Sequence, residues 1–286
     1  MEYILLACAV IIVICIIIMI RDINRFVVKR YELESDKISK DICFVVVSDL
    51  HNKSFGKDNY KLINAIDNLN PDYVLITGDI LTGNRLVSYK PALEFIRRLS
   101  RKHKVIYGLG NHERRSEEFL DHDSNRYETY ISKVREAGAT VLVNDRYFLE
   151  DYNIYVYGIE IELKYYSKFR KKKMPSDYIT SLLNTCDPDQ YNIMLAHNPD
   201  YFEEYASWNP DLVLSGHVHG GIARLPLLGG VISPSYRLFP KYDGGLFKEK
   251  SSTMILSRGL GTHTLPVRFL NPGELPVVYI KKGKEL

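Results

Sequence analysis

The chain has 286 residues, of which 45% are hydrophobic and 26% charged, proportions that are ordinary for a globular protein. A formal net charge of +3 is too small to indicate a nucleic-acid partner, and no long stretch interleaves basic with aromatic residues. Four cysteines without a CxxC pair exclude a disulfide framework and a zinc knuckle, and free thiols favour a reducing compartment.

The N-terminal segment from Tyr3 to Ile20 contains no charge, glycine or proline. At about 18 residues it approaches the length of a membrane-spanning helix. A cleaved signal peptide is the alternative, but a basic n-region and an A-x-A-like cleavage site are both missing. We therefore predict an uncleaved transmembrane anchor over residues 1–20, followed at 21–40 by a continued helix or a juxtamembrane linker. Positive charges after the anchor place the rest of the chain on the cytoplasmic face of the cell membrane, namely Arg21, Arg25, Lys29 and Arg30.

From Ile42 onward, short β-branched runs alternate with amphipathic stretches, a pattern typical of crossover units with buried strands. The runs cover 42–48, 73–77, 104–109, 191–196 and 211–216. Helices are predicted over 59–69, 91–99 and 116–138, the last ending at Gly138.

Residues 139–162 instead alternate with period two, which predicts antiparallel strands, and the C-terminal third is rich in Gly, Pro and short strand-like runs. A purely parallel fold does not explain this mixture. We predict an α/β fold in which two mixed sheets, flanked by helices, form a four-layer α-β-β-α sandwich preceded by one transmembrane helix. Residues 41–286 would form this one domain.

Polar residues follow the end of each of the five apolar runs. They are Asp49, His51, Asp79, Asn111, His112, Glu113, His197, His217 and His219. In α/β folds the carboxyl ends of strands border the ligand crevice. His217 and His219, two positions apart in an extended segment, point the same way and can converge on a metal ion. The other three of the eight histidines are interpreted as surface or structural residues, namely His103, His122 and His263.

In chain order these residues form the motifs SDLH, TGDI, GNHE, AHNP and SGHVHGG, which resemble the calcineurin-like metallophosphoesterase family. The resemblance extends from about residue 42 to the end of the chain. The segments 237–246 and 257–275 look like the YkuE/YaeI-like branch, which has an N-terminal membrane segment. That branch usually continues HGGQ, whereas this chain has Ile222, which offers no polar side-chain contact to a substrate.

The resemblance implies a site for two divalent metal ions. Asp49, His51 and His219 would bind one ion, and Asn111, His197 and His217 the other. Asp79 would bridge them, and a metal-bridging hydroxide would attack the substrate. Paired divalent ions clamp a phosphoryl group and lower the pKa of a shared water, so the chemistry agrees. Mixed oxygen and nitrogen ligands without thiolate suit Mn, Fe or Zn.

His112 lies beside a ligand, and the resemblance implies that it donates a proton to the leaving oxygen or stabilises the developing charge. A purely structural role is the alternative. Glu113 could orient this imidazole, but we interpret it as an exposed glutamate at a helix start.

Two further segments allow two interpretations each. The basic run 163–175 is a solvated loop face or a contact for anionic lipid headgroups. The stretch 223–234 is a loop folded onto the protein body or an apolar surface for a lipid-linked substrate, through Leu225, Leu227, Leu228, Val231 and Ile232.

Together these features predict a membrane-anchored, dinuclear metal-dependent phosphohydrolase that cleaves phosphoester or pyrophosphate bonds. Its expected partners are the membrane and a phosphorylated substrate, which the resemblance extends to a lipid-linked one such as UDP-2,3-diacylglucosamine. A phosphodiesterase for soluble substrates, including cyclic nucleotides, is the alternative. A non-catalytic scaffold on the same fold would be expected to lack metal ligands or the leaving-group histidine, and the chain retains them all.

Overall fold

The computed structural model describes residues 1–84, 86–116, 125–167, 170–225, 228–232, 238–262 and 266–283. The helices are α1 Glu2–Ile23, α2 Tyr60–Leu69, α3 Lys90–Ser100, α4 Asn111–Arg115, α5 Arg126–Glu136, α6 Tyr178–Leu183 and α7 Phe202–Trp208. The strands are β1 Phe26–Ser35, β2 Ile42–Val47, β3 Tyr73–Ile76, β4 Val105–Gly108, β5 Thr140–Leu142, β6 Asp145–Leu149, β7 Ile154–Ile159, β8 Tyr191–Ala196, β9 Leu212–Ser215, β10 Arg224–Leu225, β11 Gly229–Gly230, β12 Gly245–Glu249, β13 Ser252–Leu256 and β14 Gly273–Lys282.

The strands form two six-stranded mixed sheets and a small hairpin of β10 and β11. The first sheet has the order β1-β14-β2-β3-β4-β5, in which only the β14–β2 pair is antiparallel. The second sheet has the order β12-β13-β9-β8-β7-β6, with antiparallel pairs at its two edges. In each sheet the strands that precede the polar motifs lie side by side and run parallel.

The alternation of side chains along each strand builds the layers of the sandwich. On β2, Phe44 and Val46 face the second sheet, where they join a buried cluster with Leu195 and Leu214. Residues of the opposite parity, such as Val45, pack with α2, α3 and α5 on the outside of the first sheet. Helices α6 and α7 cover the outer face of the second sheet. The predicted four-layer arrangement is confirmed.

Helices α2 and α3 lie within one residue of the predicted 59–69 and 91–99 helices, whereas α5 begins only at Arg126 of the predicted 116–138. Helix α2 buries Leu62, Ile63 and Ile66 and ends at Asn70 in the left-handed region. Helix α5 is followed by Gly138 at φ +99°. Residues 117–124, the first part of the predicted 116–138 helix, lie outside the described residues. Within 139–162, β6 and β7 are antiparallel as predicted, but β5 pairs in parallel with β4 in the first sheet.

The expected linker at 21–40 is wrong over residues 26–35. Helix α1 ends at Ile23, and β1 then adds to the edge of the first sheet, in register with β14 from Phe26 opposite Gly273 to Ser35 opposite Lys282. Alternating charges hide this strand in the sequence because an edge strand exposes one row of side chains, and charged residues there oppose edge-to-edge association. The chain therefore enters the folded body directly after α1.

Among the described residues, α1 is one helix that is long and apolar enough to cross a membrane, and its apolar length is not buried against the body. The last turn of α1, in contrast, contacts the folded body. Asp22 is buried, pairs with Arg25 at 2.9 Å and accepts a hydrogen bond from the backbone N–H of Asn271 at 3.0 Å. These contacts attach the end of α1 to the segment that precedes β14.

Candidate metal centre

The carboxyl ends of β2, β3 and β4 in the first sheet and of β8 and β9 in the second meet at one edge of the sandwich. All the residues predicted at these five strand ends lie there. The side chains of His and Asp form three overlapping groups whose potential ligand atoms lie within 4.8 Å of one another, namely Asp49–His51–His219, His51–Asp79–His112 and Asp79–His197–His217.

The first group converges around Nε2 of His219. This atom lies 3.1 Å from Nε2 of His51 and 3.3 Å from Oδ1 of Asp49. Two ligand atoms that each lie about 2.1 Å from one ion are separated by about 3.0–3.4 Å, so the observed spacing fits a common cation. Oδ1 of Asp49 lies 3.9 Å from Nε2 of His51 as well, so the three ligand atoms surround one position.

The second group is centred on Asp79 and His197. Oδ2 of Asp79 lies 3.0 Å from Nε2 of His197 and 3.9 Å from Nε2 of His51, so this carboxylate reaches toward both groups. The amide of Asn111 is buried, and neither its Oδ1 nor its Nδ2 has a hydrogen-bond partner among the described residues. A buried amide rarely stays unpaired, and a carbonyl oxygen is a suitable ligand for a divalent ion. The donor set therefore fits two ions with Asp79 between them.

A backbone carbonyl sets the tautomer of His197. Nδ1 of His197 lies 2.8 Å from the Thr77 carbonyl oxygen, so Nδ1 carries the proton and Nε2 offers its lone pair to the site. Nδ1 of His219 lies 3.4 Å from the Gly261 carbonyl oxygen and 3.4 Å from Arg268 Nη2, so the loop that contains Gly261 and Arg268 holds this ring on the side away from the site.

His112 has the opposite arrangement. The backbone N–H of Gly83 donates to its Nδ1 at 2.7 Å, so in the neutral ring the proton resides on Nε2. Nε2 points into the site, 3.9 Å from Oδ2 of Asp79. A ring held in this tautomer presents an N–H donor instead of a lone pair. His112 is therefore suited to donate to a substrate oxygen, although distance alone groups it with potential ligands.

The backbone at the site is strained in a consistent way. Five of the ligand residues have positive φ values, between +49° and +73°, namely Asp49, His51, Asp79, His217 and His219. Such conformations cost about 1–3 kcal/mol each for residues other than glycine, and they persist only where the surroundings enforce them. The sharp turns that they form after each strand aim the side chains back across the strand ends.

Glycines allow the carboxylates to lie close to neighbouring backbone. A Cβ on Gly216 would overlap Ser48 Oγ and Asp49 Oδ2, and a Cβ on Gly110 would overlap Asp79 Oδ1. Both carboxylates also accept hydrogen bonds from backbone N–H groups. His217 N–H donates to Asp49 Oδ1 at 3.0 Å, and His112 N–H donates to Asp79 Oδ1 at 2.7 Å.

The interpretation of Glu113 as an exposed helix-start residue is wrong. Its side chain is 0% exposed, and its carboxylate accepts hydrogen bonds from Asp79 N, Ile80 N, Gly110 N and the Tyr107 hydroxyl at 2.8–3.0 Å. Burial, together with the nearby Asp79 charge, raises the pKa of Glu113 to about 7. Glu113 joins the turns after β3 and β4 instead of orienting the His112 ring.

The electrostatics of the site favour added positive charge. Burial raises the pKa of Asp49 to about 6. Burial would also raise the pKa of Asp79, but the imidazoles of His197, His112 and His51 outweigh it and hold this pKa well below the usual range. Burial acts to lower the pKa of His197, yet Asp79 and Asp49 raise it to about 9. A cation bound between these carboxylates would take the place of that proton.

Three buried residues around the site were missed by the sequence analysis. Nδ2 of Asn271 donates to the carbonyl oxygens of His219 and Gly221 at 2.8 and 2.7 Å, which holds the loop that carries the HxH pair. Arg268, whose pKa burial lowers to about 10, binds the backbone of the adjacent loop. The Tyr166 ring packs edge-on against His217, with 5.2 Å between ring centroids. Only their place in the 163–175 and 257–275 segments could have indicated them.

The basic run 163–175 and the stretch 223–234, for which the sequence allows two interpretations each, both combine exposed residues with buried or half-buried ones. In the basic run, Tyr166 and Met174 are buried, residues 170–173 are exposed, and Lys171 pairs with Glu204 at 2.9 Å, while residues 168 and 169 lie outside the described residues. In the 223–234 stretch, Leu225 and Leu228 are exposed and Val231 and Ile232 are half-buried. Leu227 lies outside the described residues.

The remaining histidines lie elsewhere. His103 binds Asp67 on the outer surface of the first sheet at 2.7 Å, in agreement with a structural role. His122 and His263 lie outside the described residues.

Comparison with known proteins agrees with this geometry. The sequence model of the calcineurin-like phosphoesterases matches residues 43–221. The chain is 29% identical over 240 residues to the uncharacterized metallophosphoesterase YkuE of Bacillus subtilis, which covers 83% of this chain and 78% of that protein.

Two other relatives are longer than this chain. An uncharacterized metallophosphoesterase of Helicobacter pylori is 30% identical over 255 residues, covering 87% of this chain and 62% of that protein. A transmembrane protein with a metallophosphoesterase domain from Danio rerio is 25% identical over 245 residues, covering 84% of this chain and 53% of that protein. The chain thus spans less than two thirds of the length of both.

Proposed function

The chain belongs to the calcineurin-like phosphoesterase family and is a metal-dependent phosphoesterase, and on that premise we propose a membrane-anchored enzyme with a two-ion centre. The observation that carries the two-ion proposal is the position of Asp79 between two groups of ligands. Asp49, His51, His219 and Asp79 would hold one ion, and Asp79, Asn111, His197 and His217 the other. When bound, the two ions supply Lewis acidity to the phosphoryl group and lower the pKa of a coordinated water.

The charges of these residues suit an anionic substrate. Asp49 and Asp79 supply two negative charges against the four positive charges of two divalent ions, and the other ligands are neutral. Asn111 contributes to this balance because an aspartate in its place would remove one unit of the positive charge that attracts a phosphate. The site can therefore bind a phosphoester or pyrophosphate through its own net charge.

His112 is proposed as the group that donates a hydrogen bond to the leaving oxygen. Gly83 fixes its Nδ1 as an acceptor, so Nε2–H is directed to the side of the site where Asp79 lies. A hydrogen bond donated there stabilises the negative charge that develops when the ester bond breaks. The backbone bond from Gly83 also keeps the ring in the orientation that this hydrogen bond needs.

We also propose that α1 anchors the enzyme and that the substrate is lipid-linked, with UDP-2,3-diacylglucosamine as the candidate. The apolar α1 and the transmembrane relative from Danio rerio support the anchor. Arg21 and Arg25 at the end of α1 support a cytoplasmic position of the catalytic domain. A lipid-linked substrate carries its phosphates at the membrane surface, the level at which α1 would hold this site.

The substrate proposal can be tested with the full chain in mixed micelles containing added Mn²⁺. Hydrolysis of UDP-2,3-diacylglucosamine should exceed that of bis-p-nitrophenyl phosphate and of a cyclic nucleotide. If the basic run binds headgroups, reversing the exposed charges of Arg170 and Lys173 to glutamate should weaken only the micellar reaction, and more so at low salt. Lys61→Glu on the distant α2 serves as the matched control. Preference for the soluble esters, with no effect of charge reversal, would favour a phosphodiesterase for soluble substrates.

A further inference from the structure

Between the HxH motif and β14, and outside β12, five of the described large apolar side chains are exposed. They are Leu225, Leu228, Leu238, Phe239 and Leu270, with exposed fractions of 40%, 63%, 66%, 59% and 40%. We refer to these five side chains as the leucine patch. A loop that faces solvent usually exposes polar side chains, and several exposed apolar side chains together indicate a surface that another molecule covers.

Backbone hydrogen bonds join the segments that carry the leucine patch. Arg224 N–H donates to the Phe269 carbonyl oxygen at 3.0 Å, and Phe269 N–H donates to Ile222 at 3.2 Å. Phe239 N–H donates to Val231 at 2.9 Å. The three segments therefore form one connected unit, so that a surface touching one of them lies close to the others.

This unit is fixed directly to the end of α1. Leu270 precedes Asn271, whose backbone N–H donates to the buried carboxylate of Asp22. Gly273 N–H donates to the Arg25 carbonyl oxygen at 3.2 Å, and Lys53 binds Asn24 at 3.2 Å. Two backbone hydrogen bonds thus attach the end of helix α1 to the segment that carries Leu270.

The same unit is also fixed to the metal centre. Asn271 binds the carbonyl oxygens of His219 and Gly221 through its side chain and Asp22 through its backbone. A single residue therefore lies between the end of α1 and the loop that carries two of the metal ligands. Whatever surface holds α1 also determines the orientation of the site.

We propose that the leucine patch rests in the lipid surface that α1 enters, so that the opening of the metal centre is held at the level of the headgroups. This inference rests on the anchoring by α1 proposed above. Lipid is favoured over a second copy of the chain because the segment that carries Leu270 is hydrogen-bonded to the end of α1, whose apolar residues also lack cover from the described residues. Arg21, Arg25 and Lys53 near that end carry the charge that suits anionic headgroups.

The full chain can be reconstituted into vesicles of phosphatidylcholine and phosphatidylglycerol, with or without bromine on the acyl chains. The chain contains one tryptophan, Trp208, which is buried on α7. Tryptophan is introduced singly by Leu228→Trp and Phe239→Trp, and the wild-type signal is subtracted. Ile12→Trp reports insertion of α1. Tyr147→Trp, at an exposed position of β6 on the sheet edge opposite β12, is the matched control.

The proposal predicts that bromolipid removes most of the added fluorescence at positions 12, 228 and 239 and little at position 147. Quenching at position 12 without quenching at 228 and 239 would overturn the docking of the patch while leaving the anchor intact. No quenching at position 12 would remove the anchoring premise. Unquenched, blue-shifted emission at 228 and 239 that depends on protein concentration would assign the patch to contacts between copies.

Discussion

Glu113 Oε2 accepts a hydrogen bond from the backbone N–H of Asp79 at 2.8 Å. The same oxygen accepts from Gly110 N–H at 3.0 Å, so one carboxylate joins the turn after β3 to the turn after β4. Asp79 is the proposed bridging ligand, and its turn has a positive φ that needs support from its surroundings. The position of the bridging carboxylate thus depends on a residue that binds no ion itself.

Replacing Glu113 with glutamine should weaken the site because both carboxylate oxygens already accept bonds from donors. A glutamine amide would direct its NH₂ group at a backbone N–H, which leaves at least one buried donor without a partner. We expect the free energy of unfolding to fall by about 1–3 kcal/mol. Metal affinity should fall by about 10–100-fold, as for other groups that support a ligand. Chemical denaturation and elemental analysis of the purified variant measure the two effects.

Glu94→Gln is the matched control because Glu94 lies exposed on α3 and makes one surface ion pair, with Arg98 at 3.8 Å. This substitution should change neither the free energy of unfolding nor the metal affinity appreciably. A Glu113→Gln protein with the stability and metal content of the wild type would show that the four hydrogen bonds do not position Asp79.

Much of the site could be predicted because its residues directly follow apolar runs. A polar residue after a buried parallel strand can lie only at the carboxyl edge of the sheet, and this places Asp79, His197 and the HxH pair from the sequence alone. The tautomers of His197 and His112 could not be predicted in this way. They depend on the Thr77 carbonyl oxygen and the Gly83 N–H, which the chain brings in from other turns.

The residues that the sequence did not reveal are those whose partners are distant in the chain. Glu113 has the appearance of an ordinary first-turn glutamate, and only the approach of the Asp79 turn buries it. Asn271 is conspicuous only once His219 and Asp22 lie beside it. Strand β1 was hidden for a related reason, because its charged face is acceptable only at a sheet edge next to β14.

His112→Ala should leave the metals in place and slow turnover by about 10²–10³-fold, because it removes an N–H donor that is directed into the site. The loss should be smaller for p-nitrophenyl esters than for alkyl esters, since less negative charge develops on the oxygen of a good leaving group. Steady-state kinetics across a leaving-group series gives this comparison. His103→Ala, which removes a histidine bound to Asp67, is the control.

Equal losses across the series would assign His112 a positional role. Loss of bound metal in His112→Ala would instead make it a ligand, contrary to the tautomer that Gly83 imposes.

Gly216→Ala should impair metal binding although it adds only one methyl group. That methyl would overlap Asp49 Oδ2 and Ser48 Oγ, so the carboxylate must move away from its hydrogen bond with His217 N–H. We expect metal affinity to fall by about 10–100-fold, measured by competition with a chelator. Gly245→Ala, whose Cβ meets nothing within 4 Å although its φ is +107°, is the control for an added methyl group that contacts no neighbour. Equal metal affinity in the two variants would argue against a tightly enclosed Asp49.

Asp79 is proposed to join two groups of ligands into one two-ion centre, and the metal content of Asp79→Asn beside the wild type tests this role most directly. Asp58→Asn, at an exposed surface carboxylate, is the control. We expect about two divalent ions per wild-type and control chain, and a severe loss of both ions and of hydrolysis in Asp79→Asn. Two ions retained at full occupancy in Asp79→Asn would contradict the bridging role, and loss of only one ion would show that the two groups bind independently.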